Sequence, residues 1–234
     1  LHQIFFNFKL KKIEIFLYSF FSISMTFNMF ITGGRAGQVM FFAVLAILIF
    51  QYFNTQKFKA VIIIIIVTSS VFFSAYQSSP FFQKRANDVL VGIQNYDSDK
   101  STPVGQRITF AINSWEIISN NPFIGVGTGD FPAEYKKINR KNTPSQPNAN
   151  NPHNMYTLIL SQLGLLGLGS FLMIFYYQIK WSFLSKNRFI KDTGTALPLL
   201  FLLIMFSDSY LLGHYTSLLY IFFSSFLYKD FEKP

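Results

Sequence analysis

The chain has 234 residues, half of them hydrophobic and 30 of them Phe, and the apolar residues are clumped in a way that does not suit an ordinary soluble domain. Cysteine is absent, which excludes disulfides and thiolate metal sites. A formal net charge of +9 would suit nucleic acid in a soluble protein. In a membrane chain the first question is which side the Lys and Arg occupy, and no nucleic-acid partner is expected.

In chain order, apolar runs at 13–31, 36–53, 60–76, 154–179 and 195–212 each have about the length that crosses hydrocarbon, and a shorter run follows at 215–228. They predict an all-α, polytopic transmembrane bundle of about six helices with one long, partly helical outer loop. The Val61–Val67 run has strand propensity, but lipid tolerates only helices or closed barrels, and these runs lack barrel alternation. Three helices are expected in 1–76, the loop in 77–152, three more helices in 153–228 and a cytoplasmic tail at 229–234. Leu1 stands where a Met would begin a chain, and no charged n-region with a short apolar core and cleavage site precedes the first run. The expectation is the C-terminal part of a longer membrane protein.

Basic residues set the orientation. Lys9, Lys11 and Lys12 precede the first run, Lys57 and Lys59 separate the second from the third, Lys180, Lys186, Arg188 and Lys191 follow the fourth, and Lys229 and Lys233 close the chain. Every second loop is therefore basic, which puts both ends inside and residues 77–152 outside. Arg35, the long loop, His153 and His214 then share the outer face. Cytosolic nucleotide sugars are not supplied there, so an enzyme on this face is expected to use a lipid-linked donor.

Within the loop, Ile108, Ala111, Ile112, Trp115 and Ile118 recur at spacings of three and four, predicting an amphipathic helix over 107–119 that lies on the membrane surface. Asn120, Asn121 and Pro122 stop it. GVGTGD, Gly125 to Asp130, follows no strand and precedes no GK[ST], so it reads as a structural turn and not a nucleotide loop. Residues 142–152 have no periodicity and read as flexible loop ending at Pro152.

Several side chains are candidates for chemistry. Arg35, in TGGRAG, is costly at a membrane boundary unless it snorkels as an anchor or meets an anion, and its flanking glycines let amides approach a phosphate. Arg107 opens the expected helix, where a cation opposes the dipole; it is easier to understand there if it grips a pyrophosphate through two parallel hydrogen bonds, but taken by itself a solvated loop charge is the favoured reading. Asp97-Ser98-Asp99 resembles the acidic pair that holds a divalent metal in many glycosyltransferases, but two hard ligands do not make a site, and an ordinary turn without metal is the favoured reading. Asp208 lies in the fifth apolar run, with His214 nearby; either lines the site or satisfies the other. The chain has three histidines, and His153 stands where the long loop re-enters lipid. Its imidazole can take a proton from an attacking hydroxyl and lose it to solvent. A polar cap, with Asn154, is the alternative.

The spacing His153-Asn154-x9-Gly164-x-x-Gly167 resembles a motif of the O-antigen ligase and O-antigen polymerase family of bacterial envelope proteins. TGGRAG with Arg35, Arg107 followed by Trp115 and NPFIGVGTGDF, and FSDSYLLGH with Asp208 and His214 fall in that family's order. The resemblance implies a multi-pass protein of the bacterial inner membrane with a periplasmic active face, acting in lipopolysaccharide and cell-envelope biosynthesis. It implies transfer of a glycan from undecaprenyl pyrophosphate to an acceptor hydroxyl on lipid A core or a lipid-linked glycan, without cofactor or metal and with inversion. His153 would be the general base, Asn154 would orient it, and Arg35 and Arg107 would bind the pyrophosphate. Gly164 and Gly167 would let the helix pack closely on a neighbour. Members have about twice as many spans, so an N-terminal half that helps form the donor cavity is expected to be missing. The alternatives are a transporter or flippase for lipid-linked saccharides and a protein O-oligosaccharyltransferase of the same family.

Overall fold

The computed structural model describes residues 10–31 and 35–229. Lys9, Lys233, Thr32, Gly33, Gly34 and the side chain of Arg35 lie outside the described residues. The described chain is all-α and free of strands. Its helices are α1 (Lys12–Ile31), α2 (Arg35–Tyr52), α3 (Lys57–Ser78), α4 (Pro80–Gln94), α5 (Pro103–Asn120), α6 (Phe131–Asn142), α7 (Met155–Leu184), α8 (Arg188–Ile204) and α9 (His214–Leu227), with a 3-10 turn at Tyr210–Leu212.

Each apolar run carries a helix. Among the described residues, α3 and α7 are long and apolar enough to cross a membrane, and Gly37–Tyr52 is a shorter apolar helix. The fifth run departs from its expected extent, because α8 ends at Ile204. Ser207 Oγ donates back to the Ile204 carbonyl and the Ser209 amide donates to Asp208 Oδ1, local bonds that compete with helix continuation. Asp208 thus stands in a turn and not within a helix.

The chain divides into two compact units, Leu1–Asp88 and Val89–Pro234. In the first, α2 packs on α1 and on α3. Along α3 only Ala60 and Ala75 are buried, while Ile65, Ile66 and Phe73 point outward. A helix apolar all round with its large side chains outward suits lipid as solvent.

In the second unit α5 packs on α6 and α7, α7 on α8, and α8 on α9. Thr102 caps α5 by accepting from the Gly105 amide at 2.9 Å, and Pro103 supplies a first residue whose missing N–H costs nothing. The packed face of α5 holds Thr109, Phe110, Asn113, Ser114, Ile117 and Ile118. Ile112 and Trp115, from the stripe read as membrane-facing, are exposed.

Asn113 joins α5 to α6. Its Nδ2 donates to Thr143 Oγ1 at 2.8 Å, and lies 3.3 Å from both Tyr135 Oη and Asn139 Oδ1. Burial pushes the Tyr135 hydroxyl above its ordinary range. At the rim, Glu116 accepts from Asn142 at 2.6 Å and Lys141 at 3.2 Å, contacts that hold its carboxyl below the usual range. Asn113→Leu would leave Thr143 and Asn139 short of a partner, and is expected to cost roughly 2–4 kcal/mol. Thermal unfolding of the purified chain in detergent checks this, with a lowered midpoint as the expected result.

Residues 142–152 contain no helix beyond Asn142 yet are tied down. Asn139 Nδ2 donates to the Gln146 carbonyl at 2.9 Å and to Asn148 Oδ1 at 3.2 Å, and Ala149 and Pro152 are buried. The stretch expected as flexible loop is anchored because its own polar backbone is partly buried and must find partners.

Candidate functional site

The site is built where α7 begins. Asn154 is its N-cap: extended at φ −157°, it accepts from the Thr157 amide through Oδ1 at 3.0 Å. Its Nδ2 donates to the Phe206 carbonyl at 3.1 Å, and the Met155 amide donates to the Met205 carbonyl at 3.0 Å. The start of α7 is thereby fixed to the turn that carries Asp208. The side-chain bonds of Asn154 go to the Thr157 amide and the Phe206 carbonyl, and none goes to the imidazole of His153.

That turn brings His153 and Asp208 together. His153 Nδ1 lies 3.1 Å from Asp208 Oδ1, and the side chains are 42% and 34% exposed, open to a substrate. A carboxylate only accepts, so Nδ1 carries the hydrogen and Nε2 is left as a free acceptor. The imidazole stacks on Phe110 of α5, with centroids 5.8 Å apart and planes at 23°. His153 has φ +53°, in the left-handed region where a non-glycine residue is uncommon and strained. His214, exposed at the start of α9, lies edge-on to Tyr215, so the partner of Asp208 is His153.

Arg107 sits one turn N-terminal to Phe110 on α5, a spacing that makes the two side chains neighbours on the helix surface. It is exposed and makes no ion pair among the described residues. Since α5 starts at Pro103, Arg107 falls in the second turn, where opposition from the dipole has largely decayed. Arg35 opens α2 in the other unit. In the acidic pair, Asp99 accepts from the Ser101 amide at 2.9 Å and from its hydroxyl at 2.6 Å. These two bonds, the hydroxyl first, lower its pKa and make it the cap of an ordinary turn.

Gly164 and Gly167 belong to a break in α7. Gly164 has φ +62° and ψ −162°, so α7 is two helical pieces meeting at one residue. Residues 122–127 dock into the break. The Leu165 and Leu166 amides donate to the Pro122 and Phe123 carbonyls at 2.8 and 3.2 Å, and the Val126 and Gly127 amides donate to the Ser161 and Gln162 carbonyls at 2.9 and 3.0 Å. Two amides and two carbonyls of α7 at the interruption thus find partners in the loop, as non-helical backbone in an apolar setting requires. The neighbour that needs a glycine is thus a loop. A Cβ on Gly164 would lie 2.2 Å from the Phe123 carbonyl carbon, and one on Gly167 would lie 2.1 Å from Leu163 Cβ across the break. An apolar groove of about 540 Å³ runs alongside, lined by Ile124, Ile159, Leu163, Gly167, Phe171 and Ile174 among others.

Phe110, Asn151 and Ser209 are members of the site that the sequence did not single out. Phe110 had a signal, one turn from Arg107; Asn151 and Ser209 had none beyond lying near His153 and Asp208.

A His–carboxylate pair stands at the mouth of a membrane-length, broken helix. The sequence matches the O-antigen ligase family (Wzy_C) over residues 20–172, more than half of the chain, and the chain belongs to that family. The match includes Arg35, Arg107, His153, Gly164 and Gly167, and ends before Asp208. No curated protein matches the chain. Membership supports an enzymatic, glycan-transferring role and, with the membrane-length helices, a membrane-associated bacterial protein.

Proposed function

We propose that the chain transfers a glycan from undecaprenyl pyrophosphate to an acceptor hydroxyl at the periplasmic face of a six-span bundle. The observation that carries this reading is the 3.1 Å contact between His153 Nδ1 and Asp208 Oδ1, which leaves Nε2 free to accept a proton. Nε2 takes the proton of the acceptor hydroxyl as its oxygen attacks the anomeric carbon. The carbon–oxygen bond to phosphate breaks, the electron pair leaves with the pyrophosphate, and the anomeric centre inverts. Asp208 holds the tautomer and stabilises the imidazolium until its proton passes to solvent.

Negative charge grows on the leaving pyrophosphate, and Arg107 is assigned to meet it; Arg35 keeps the pyrophosphate role that the family resemblance implies. The groove beside the break supports a partner with an apolar tail, since it offers almost no hydrogen-bonding group. Lipid A core, a lipid-linked glycan and a protein hydroxyl are competing acceptors.

The test is reconstitution of the full-length protein with a defined undecaprenyl-pyrophosphate-linked glycan and those three acceptors together. Transfer without nucleotide sugar, giving an inverted linkage, is the expected result. Movement of the donor across the bilayer with no transfer to any acceptor would replace this reading by a transporter. Loss of transfer on chelation, restored by Mg²⁺, would return a metal role to Asp97 and Asp99. Arg107→Ala is expected to lower kcat roughly 10²- to 10³-fold, the scale for removing one preorganised donor to developing charge. Arg107→Lys should recover only part, because it restores the charge without the two-pronged grip.

A further inference from the structure

His153 and Asp208 are 55 positions apart, and one oxygen between them belongs to neither. Asn151 Oδ1 accepts from the His153 amide at 3.0 Å, an Asx-turn, and also from the Ser209 hydroxyl at 2.7 Å. Ser209 is buried, and its amide donates to Asp208 Oδ1 at 2.8 Å. A closed circuit results, running from Asn151 Oδ1 to the His153 backbone, across the imidazole to Asp208, along to Ser209 and back. The left-handed backbone of His153 is the strained link, and the Asn151 bond opposes its relaxation.

We infer that Asn151 is a positioning residue for the proposed transfer, holding the imidazole and its carboxylate in register through this shared oxygen; the inference rests on His153 serving as the base. Asn154 fixes the depth of the helix, whereas Asn151 fixes the angle between His153 and Asp208. An oxygen acceptor is what position 151 requires. Asp supplies one and adds charge, while Ala supplies none.

Charged or titratable groups on the elements round the imidazole include Asp208, Tyr210 and His214 after α8, Arg107 and Glu116 on α5, Tyr135 behind Phe110 on α6, and Tyr156 on α7, whose hydroxyl is bonded to the Leu202 carbonyl. These groups are common to all the Asn151 variants, so a shift in the acid limb between those variants reports on the substitution at 151 and the pair it holds.

Transfer by the full-length protein in membranes is measured against pH for Asn151→Ala, Asn151→Asp and His153→Ala. Asn151→Ala should lower kcat roughly ten- to a hundredfold with KM unchanged, the scale of a small misplacement of a reacting group. Its acid limb should move to lower pH, because the imidazolium loses an aligned carboxylate. Asn151→Asp should keep most of kcat and move the limb to higher pH, because a second carboxylate favours the imidazolium. Shifts of opposite sign are not produced by loosening the fold.

Wild-type kcat and profile in Asn151→Ala, beside an inactive His153→Ala, overturn this role and leave the proposed function standing. An active His153→Ala overturns the function itself. Where Asn151→Ala fails to accumulate in membranes, Asn151→Asp decides alone: retained kcat with a raised limb upholds the role, and an inactive protein or an unmoved limb overturns it.

Discussion

His153→Ala is expected to lower glycan transfer by roughly 10²- to 10⁴-fold, the usual contribution of a general base, while binding of the lipid-linked donor is kept. Asp208→Asn should come close to the same loss with the geometry intact. An amide at position 208 can donate to Nδ1, which would place the imidazole hydrogen on Nε2 and remove the acceptor lone pair. The double variant should be little worse than either single one, since the two side chains act as a unit. Single-turnover transfer with saturating donor, alongside donor binding, separates these effects. Transfer at wild-type rate in His153→Ala would remove the catalytic reading and leave a lipid-linked saccharide transporter, which needs no base at this position.

The helices were legible in the apolar runs: six runs each became a helix, and the strand-prone Val61–Val67 run lies inside α3. What failed was extent. The fifth run is apolar through Met205 and Phe206, but composition does not weigh the local bonds of Ser207 and Ser209 that end α8 at Ile204. The start of α5 was readable from Thr102 and Pro103 as cap and first residue, yet periodicity alone pointed to Arg107.

At the site, His153, Asn154 and Gly164 stand out in the sequence because each answers a demand visible within a few residues: a polar turn, an N-cap, a glycine in an apolar run. The pairing of His153 with Asp208 was not legible, since it depends on how α7 and α8 are joined in space. Asn151 was hidden for a different reason. In PNANNPH several asparagines look alike, and only the geometry shows which oxygen lies between the two chain segments.

Gly164→Ala is expected to abolish accumulation of folded protein in membranes, or to leave it without transfer. Two costs combine. At φ +62° a side chain is strained, and its Cβ would stand 2.2 Å from one backbone carbon and 2.5 Å from the Ile124 nitrogen, neither of which can swing aside as a side-chain tip can. Relief requires residues 122–127 to leave the break, exposing four hydrogen-bonded backbone groups at about 1–3 kcal/mol each. Gly125→Ala should behave alike, because Gly125 has φ +68° and its Cβ would lie 2.3 Å from the Gln162 carbonyl carbon on the other side of the same contact. The control is Gly169→Ala, on the continuous part of α7 with nothing within 4 Å of its Cβ, where the change should be neutral or stabilising by up to about 1 kcal/mol. Membrane abundance, detergent-extracted melting and transfer are compared across the three. Should Gly164→Ala match Gly169→Ala in all of them, α7 runs unbroken in the working protein.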